Sequence, residues 1–300
     1  MVKKLILDMD PGIDDALALM AACSLDSVEI LGVSVVGGNL PLETVAANAS
    51  GILLQMGSSA QVYKGASGPL YGKLADAADI HGSGGLGNWQ VRSDPPRISS
   101  RHAAEFIAGA AHAHPGEVTL VATGPLTNLA IALEYHPRDL QNLAGVVFMG
   151  GALTVPGNVT PAAEFNIYTD PDAAEVVLNS DLQLTMVGLD VTQQVCFDEG
   201  DLRKLAAGGG NSTAVSAMSS YYIEKHGQMP LHDPLALLAA LKPDFFTFRI
   251  LPLVIETRGA FCRGQTIADF SGEQNWNKVR VAWQADKDRC KEYLMSLWAR

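Results

Sequence analysis

Short apolar runs that stop at an acid or a small residue recur along this chain, and Ala- and Leu-rich stretches separate them. Residues 3–8 (KKLILD), 28–37 (VEILGVSVVG), 118–123 (VTLVAT), 145–149 (GVVFM) and 182–187 (LQLTMV) have the length and apolar content of buried strands. Residues 13–23, 43–56, 101–113, 126–135 and 171–179 lie between them and read as helices. Strands alternating with helices form βαβ units, whose sheet is parallel and covered on both faces. The pattern predicts an α/β fold: an open, mostly parallel sheet with helices on both faces. The Gly208-Gly209-Gly210 run and residues 75–96 read as loops, and no repeat or low-complexity linker divides the chain. Its 300 residues suit one domain, 1–300, with residues 230–300 as a C-terminal extension.

Composition narrows the possible partners. Lys and Arg number 21 against 32 Asp and Glu, a formal net charge of -11. Non-specific nucleic-acid or anionic-membrane binding needs a cationic field that such a surface lacks. No apolar stretch reaches the ~18 residues of a membrane helix. The first run is too short for a secretion signal, and Asp8 and Asp10 interrupt it. Cys23, Cys196, Cys262 and Cys290 are scattered without a CxxC, which predicts free thiols in a reducing compartment. The expectation is a cytoplasmic protein whose partner is a small molecule, with no nucleic acid and no membrane.

In an open α/β sheet, ligands bind beyond the carboxyl ends of the strands. Those positions here hold Asp8, Asp10, Asp14 and Asp15, then Gly37-Gly38-Asn39, Thr123-Gly124-Pro125, Gly150-Gly151 and Asp190. The set suits a hard cation and a polyol. Asp8-Met9-Asp10-Pro11-Gly12-Ile13-Asp14-Asp15 puts four carboxylates in eight residues, where a strand gives way to a helix. A helix cap or a strand-end turn accounts for one or two of them. Four at one Pro-Gly turn repel one another unless a cation offsets the charge, and oxygen donors without cysteine select Ca²⁺ or Mg²⁺.

Three further segments carry candidate chemistry. Leu231-His232-Asp233-Pro234 opens a helix over 235–241. Asp233 fits either an N-cap before Pro234 or a distant partner for the acidic cluster. In the block from Gly157 to Pro171, turn chemistry explains Asn158 and Asp170, whereas Glu164 and Asn166 share one side of an alternating stretch. Such a polar pair suits sugar hydroxyls. His81-Gly82-Ser83-Gly84-Gly85-Leu86-Gly87 lacks the Lys and Ser/Thr of a phosphate loop and reads as a mobile lid.

DMDPGIDD resembles the DxDxGxDD signature of the inosine–uridine nucleoside hydrolases. Asn39, His81 in HGxxGL, Thr123-Gly-Pro-Leu-Thr-Asn, Met149-Gly-Gly, the GN…AEFN…DP block and His232-Asp233 follow in that family's order over roughly residues 5–270. The resemblance implies a Rossmann-like nucleoside hydrolase fold and calcium-dependent hydrolysis of ribonucleosides to ribose and free base. It assigns Asp10, Asp15 and Asp233 to calcium through side chains and Thr123 through its carbonyl, with Asp8 in support. Ribose would meet Asp14, Asn39, Asn158, Glu164, Asn166 and Asp233, with Met149 packed against it. Asp10 would also deprotonate a calcium-bound water, and the sugar would pass through an oxocarbenium-like state. His232, beside a calcium ligand, would face the base as acid or orienting group.

The matched pattern stops at the nucleobase. A mobile helix upstream of His232-Asp233 supplies base contacts in the family, and here that region reads Ser220-Tyr221-Tyr222-Ile223-Glu224-Lys225-His226-Gly227-Gln228. Tyr222 and His226 are four apart and fit one helix face; Tyr221, Gln228 and Phe165 also remain open as base contacts. His81 and His232 together lean toward pyrimidine-type or non-specific members. Homo-oligomers, dimer or tetramer, are common in the family. Two other classes share part of the pattern. A haloacid-dehalogenase-like phosphatase also ends its first strand in DxD, but Pro11-Gly12 replaces its expected Gly-Thr step. A sugar- or nucleoside-binding protein without turnover would keep Asn158, Glu164 and Asn166 but need no Asp10 base.

Overall fold

A computed structural model describes residues 2–74, 78–91 and 97–300. Twelve strands occur among them: β1 (Lys3–Met9), β2 (Val28–Val35), β3 (Val62–Lys64), β4 (Ile98–Ser99), β5 (Val118–Ala122), β6 (Gly145–Met149), β7 (Leu184–Val187), β8 (Cys196–Phe197), β9 (Met229–Pro230), β10 (Phe246–Ile255), β11 (Thr266–Ala268) and β12 (Lys278–Ala285). Ten form one sheet in the order β11-β10-β12-β7-β6-β5-β1-β2-β3-β4, and β8 pairs with β9 alone. From β12 to β4 every pairing is parallel; β10 and β11 add an antiparallel edge.

Alternation along the central strands explains why both faces are covered. Leu5, Leu7 and Met9 of β1 join one apolar cluster, and Ile6 joins the other. Val147 and Met149 of β6 point with the first set, Val146 and Phe148 with the second. Side chains of a strand alternate between faces, so a continuous apolar run needs helices on both. The helices Ile13–Cys23, Leu42–Gln55 and His232–Leu241 supply one layer; Ala103–Ala113, Thr127–Tyr135 and Pro171–Leu178 supply the other.

The central expectations hold within one or two residues at most boundaries. Two need correction. Residues 230–300 are not an appendage: β12 pairs in parallel with β7 and extends the main sheet. The stretch 75–96 lies partly outside the described residues, and its described part includes the short helix Ala78–His81. All four cysteines are free thiols, and no described helix is long and apolar enough to cross a membrane.

Strand order places the site. The chain steps from β1 outward through β2, β3 and β4, then returns to β5 on the other side of β1. Connections therefore diverge between β1 and β5, leaving a crevice at their carboxyl ends. Asp8 pairs with Ala122 across that boundary, so Asp10 and Thr123 emerge side by side.

Candidate active site

Beyond the ends of β1, β5 and β6 lies a cavity of about 360 Å³. Asp14, Asn39, His81, Thr123, Met149, Asn158, Glu164, Phe165, Asn166, Tyr222, His232 and Asp233 line it, so most residues singled out by motif converge there. Asp10 and Asp15 are fully buried. His226 lies outside the cavity wall, exposed, with its ring 4.6 Å from that of Tyr222.

Backbone geometry brings the acids together. Asp10 Oδ2 accepts from the Asn39 amide at 2.6 Å, and Asn39 Nδ2 donates back to the Asp10 carbonyl at 3.2 Å. A Cβ at Gly38 would stand 2.0 Å from Asp10 Oδ2, and one at Gly124 2.7 Å from Oδ1, so only glycine lets both loops close over this carboxylate. Asp15 caps its own helix, with Oδ2 accepting from Gly12 N–H at 3.1 Å. Its Oδ1 accepts from the Thr123 hydroxyl at 2.6 Å. Asp8 sits behind: Asn128 Nδ2 donates to its Oδ1 at 2.8 Å and to the Val35 carbonyl at 3.1 Å, tying β1 to β2.

Asp233 does not cap a helix. The helix His232–Leu241 begins after Leu231 and has no side-chain cap, so Asp233 falls inside the first turn. Its carboxylate turns instead toward Asp14 and Asp15, whose oxygens lie within 4.8 Å of one another and of Asp233. Burial and mutual repulsion push Asp233 well above the usual carboxylate range; burial, then the charge of Asp15, does the same to Asp10. Burial likewise carries Asp15 up to about 6. Without a counter-charge these groups cannot all ionise together. Asp10 Oδ1 is moreover buried with no hydrogen-bond partner. A divalent cation with oxygen preference answers both observations, so the donor set fits calcium.

Glu164 and Asn166 act through a helix, not a strand. Glu164 is the N-cap of Phe165–Thr169, its Oε1 accepting from Asn166 N–H at 2.9 Å and its Oε2 from Ile167 N–H at 3.2 Å and Gly151 N–H at 3.0 Å. The expected alternation gives way because a capping carboxylate and the residue two places on meet the same first turn. Asn166 Nδ2 donates to the Thr123 carbonyl at 2.7 Å, which leaves that oxygen a second lone pair. Asn158 Oδ1 accepts from Phe165 N–H at 2.9 Å and holds the rim.

Two histidines also line the cavity, beside the acidic cluster. His81 Nδ1 accepts from Ile13 N–H at 3.0 Å, which puts the hydrogen of the neutral ring on Nε2; burial lowers its pKa to about 4. His232 Nδ1 lies 2.8 Å from Thr192 Oγ1, and burial lowers its pKa against the opposing charge of Asp14. The segment 81–87 is better anchored than a free lid. Gly82, Gly85 and Gly87 have positive φ, Asn48 Nδ2 donates to the Gly84 carbonyl at 2.9 Å, and Leu86 is buried.

Several contributors had no sequence signal assigned to them. Ile13, Ile80, Val159, Met229 and Pro230 complete the cavity wall. Asp190 accepts from Leu153 N–H at 2.8 Å and Thr154 N–H at 2.7 Å, fixing the start of the loop that carries Asn158. Asn128 ends the TGPLTN motif and Asp190 lies in the first turn of the helix after β7; both positions were visible, their partners were not.

Comparison with known proteins identifies the family. The family model for inosine-uridine preferring nucleoside hydrolase matches residues 5–292. Uridine nucleosidase 1 of Arabidopsis thaliana is 37% identical, covering 97% of this chain and 92% of its own. A solved plant nucleoside hydrolase superposes with a TM-score of 0.94 at 31% identity, covering 100% of this chain and 99% of its own. The purine-preferring ribonucleoside hydrolase from Gardnerella vaginalis gives 0.91 at 32% identity, covering 99% and 98%. A family model and close similarity in sequence and fold across nearly the whole length lead to one conclusion: this chain belongs to the inosine–uridine preferring nucleoside hydrolase family, and it is a hydrolase of ribonucleoside N-glycosidic bonds.

Proposed function

We propose that the protein cleaves ribonucleosides by a calcium-dependent reaction in which Asp10 is the base that activates the attacking water. The observation that carries this reading is Asp10 itself: its Oδ1 is buried and unpartnered while Oδ2 is held by Asn39. Asp10, Asp15, Asp233 and the Thr123 carbonyl would hold the ion. Bound there, calcium supplies Lewis-acid polarisation of a water and of the ribose hydroxyls.

The chain's own groups do the rest. Asp10 has one carboxylate oxygen held by the Asn39 amide and the other unpartnered, so it keeps an acceptor for the proton of the attacking water. Asn166 and Glu164, locked by the helix cap, present an amide and a carboxylate to the ribose at fixed positions. Negative charge from Asp14 and Glu164 favours the positive charge that develops on the sugar ring. Met149, buried at the end of β6, gives the ribose an apolar wall that excludes water. His232 meets the leaving base and donates a hydrogen bond or proton as the bond breaks. Tyr222 and Phe165 also line the cavity and are the aromatic groups available to the base.

His81 and His232, together with the similarity to a uridine nucleosidase, support uridine among the substrates. The test is release of free ribose from a panel of ribonucleosides by the purified protein. Ribose from uridine and inosine, abolished in Asp10→Ala, supports the reading. Tight nucleoside binding with no ribose formed would make the protein a binding module instead.

A further inference from the structure

We propose that Thr192 is a positioning residue for the reaction: its hydroxyl holds the His232 ring so that Nε2, carrying a hydrogen, faces the leaving base. The proposal rests on His232 being the group that meets that base. It starts from a contact no motif signalled, the 2.8 Å approach of Thr192 Oγ1 to His232 Nδ1 across forty residues of chain.

Thr192 ends the short helix Leu189–Thr192 that follows β7, and it is fully buried. Two ties keep it opposite His232. Leu231 N–H donates to the Val195 carbonyl at 3.0 Å, and β8 pairs with β9 through Cys196 with Pro230 and Phe197 with Met229. The segments bearing the two side chains are thus stapled within five residues of each of them. The separation is set by backbone and does not depend on the side-chain contact.

The hydroxyl then decides which ring nitrogen carries hydrogen. Among the described residues, the Thr192 hydroxyl has one hydrogen-bond partner, His232 Nδ1. A buried hydroxyl hydrogen left without an acceptor is costly. With the neutral ring, that hydrogen goes to Nδ1, which leaves the ring's own hydrogen on Nε2. With the protonated ring, Nδ1–H donates to Oγ1 and Nε2 again carries hydrogen. The remaining arrangement, Nδ1–H toward Oγ1 and a bare Nε2, orphans the hydroxyl hydrogen. A threonine, unlike a carboxylate, serves both favourable states because it donates and accepts. His232 lines the cavity, so the nitrogen turned away from Thr192 is the one available to substrate. At the other histidine the backbone does the same job, with Ile13 N–H fixing His81.

The test compares Thr192→Val, Thr192→Ser and His232→Ala on uridine and on 4-nitrophenyl riboside, whose leaving group departs without help. Thr192→Val should lower kcat for uridine about tenfold, with KM within about twofold and the nitrophenyl substrate nearly unaffected. Thr192→Ser should recover most of the loss, and Thr192→Val should add nothing in the His232→Ala background. Should Thr192→Val not fold, Thr192→Ala against Thr192→Ser gives the same contrast. Equal losses on both substrates without rescue by serine, or unchanged uridine turnover in Thr192→Val, would overturn the proposal. If His232→Ala itself spares uridine, the reading of His232 fails first. If His232→Ala slows uridine and Thr192→Val does not, only the role of Thr192 fails.

Discussion

The two ends that the proposed function assigns to the cavity, one to ribose and one to the base, are built differently. The ribose end hangs from the termini of β1, β5 and β6, and its polar atoms are tied to backbone: Asp10 to Asn39, Asp15 to Gly12, Glu164 to Gly151 and Ile167. The base end gathers Ile80, Tyr222, Met229, Pro230 and His232 from a four-residue helix, a long helix, a two-residue strand and a helix start. Most of its lining is apolar. A polar site tied to a sheet cannot change without exposing unsatisfied groups, whereas an apolar wall of separate pieces can exchange side chains.

The largest effect belongs at the ribose end. Asp10→Ala should lower kcat by about 10³-fold or more for every ribonucleoside, irrespective of base. Comparable activity in that variant, read as ribose release, would break the division between the two ends. Next comes the sugar: 2′-deoxynucleosides should fall by about 10²-fold or more in kcat/KM, because a site built to bind a hydroxyl is left with unpaired polar groups. Asn166→Ala should follow, lowering kcat as well as affinity, since its contacts strengthen as charge develops. Steady-state kinetics that show a KM effect alone would make Asn166 a binding group only.

A pH effect sharpens the same contrast. In the metal-free chain burial holds Asp8 and Asp15 up to about 6, above the ordinary value of 3.8. Such groups bind protons more tightly folded than unfolded. Their contribution to stability is full below about pH 4 and is lost as pH rises through about 6. Chelated protein should therefore melt several degrees higher at about pH 5 than at about pH 7.5, and calcium should raise Tm more at the higher pH. A Tm of chelated protein that rises with pH over this range contradicts the charge account. Smallest is the base end: Met229→Ala should change the inosine-to-uridine ratio of kcat/KM by less than about tenfold and leave a nitrophenyl riboside unaffected.

What the sequence revealed follows the same division. The clustering of the acids was legible because a strand end and a helix start place four of them in eight consecutive residues. Central strands were legible because runs buried on both faces are continuous in sequence. β3, β4, β8 and β9, of two or three residues each, are too short to show a period. Glu164 and Asn166 read as alternation because the helix they open, Phe165–Thr169, is too short to show a helical period. Tyr222 and His226 share a helix as their spacing suggests, yet only Tyr222 reaches the cavity. That distinction depends on how the helix Ser212–His226 packs, which no local pattern encodes. Thr192, and the partners of Asp190, were hidden for a similar reason: each contact spans about forty residues of chain.

The central claim is that a buried cluster of carboxylates holds the ion that makes Asp10 effective. The most direct measurement is ribose release from uridine by protein stripped with a chelator, before and after graded return of calcium, with bound metal counted in the same samples. The account predicts that turnover disappears with the metal and returns in proportion to calcium bound, at one ion per chain. Full turnover by metal-free protein would contradict it.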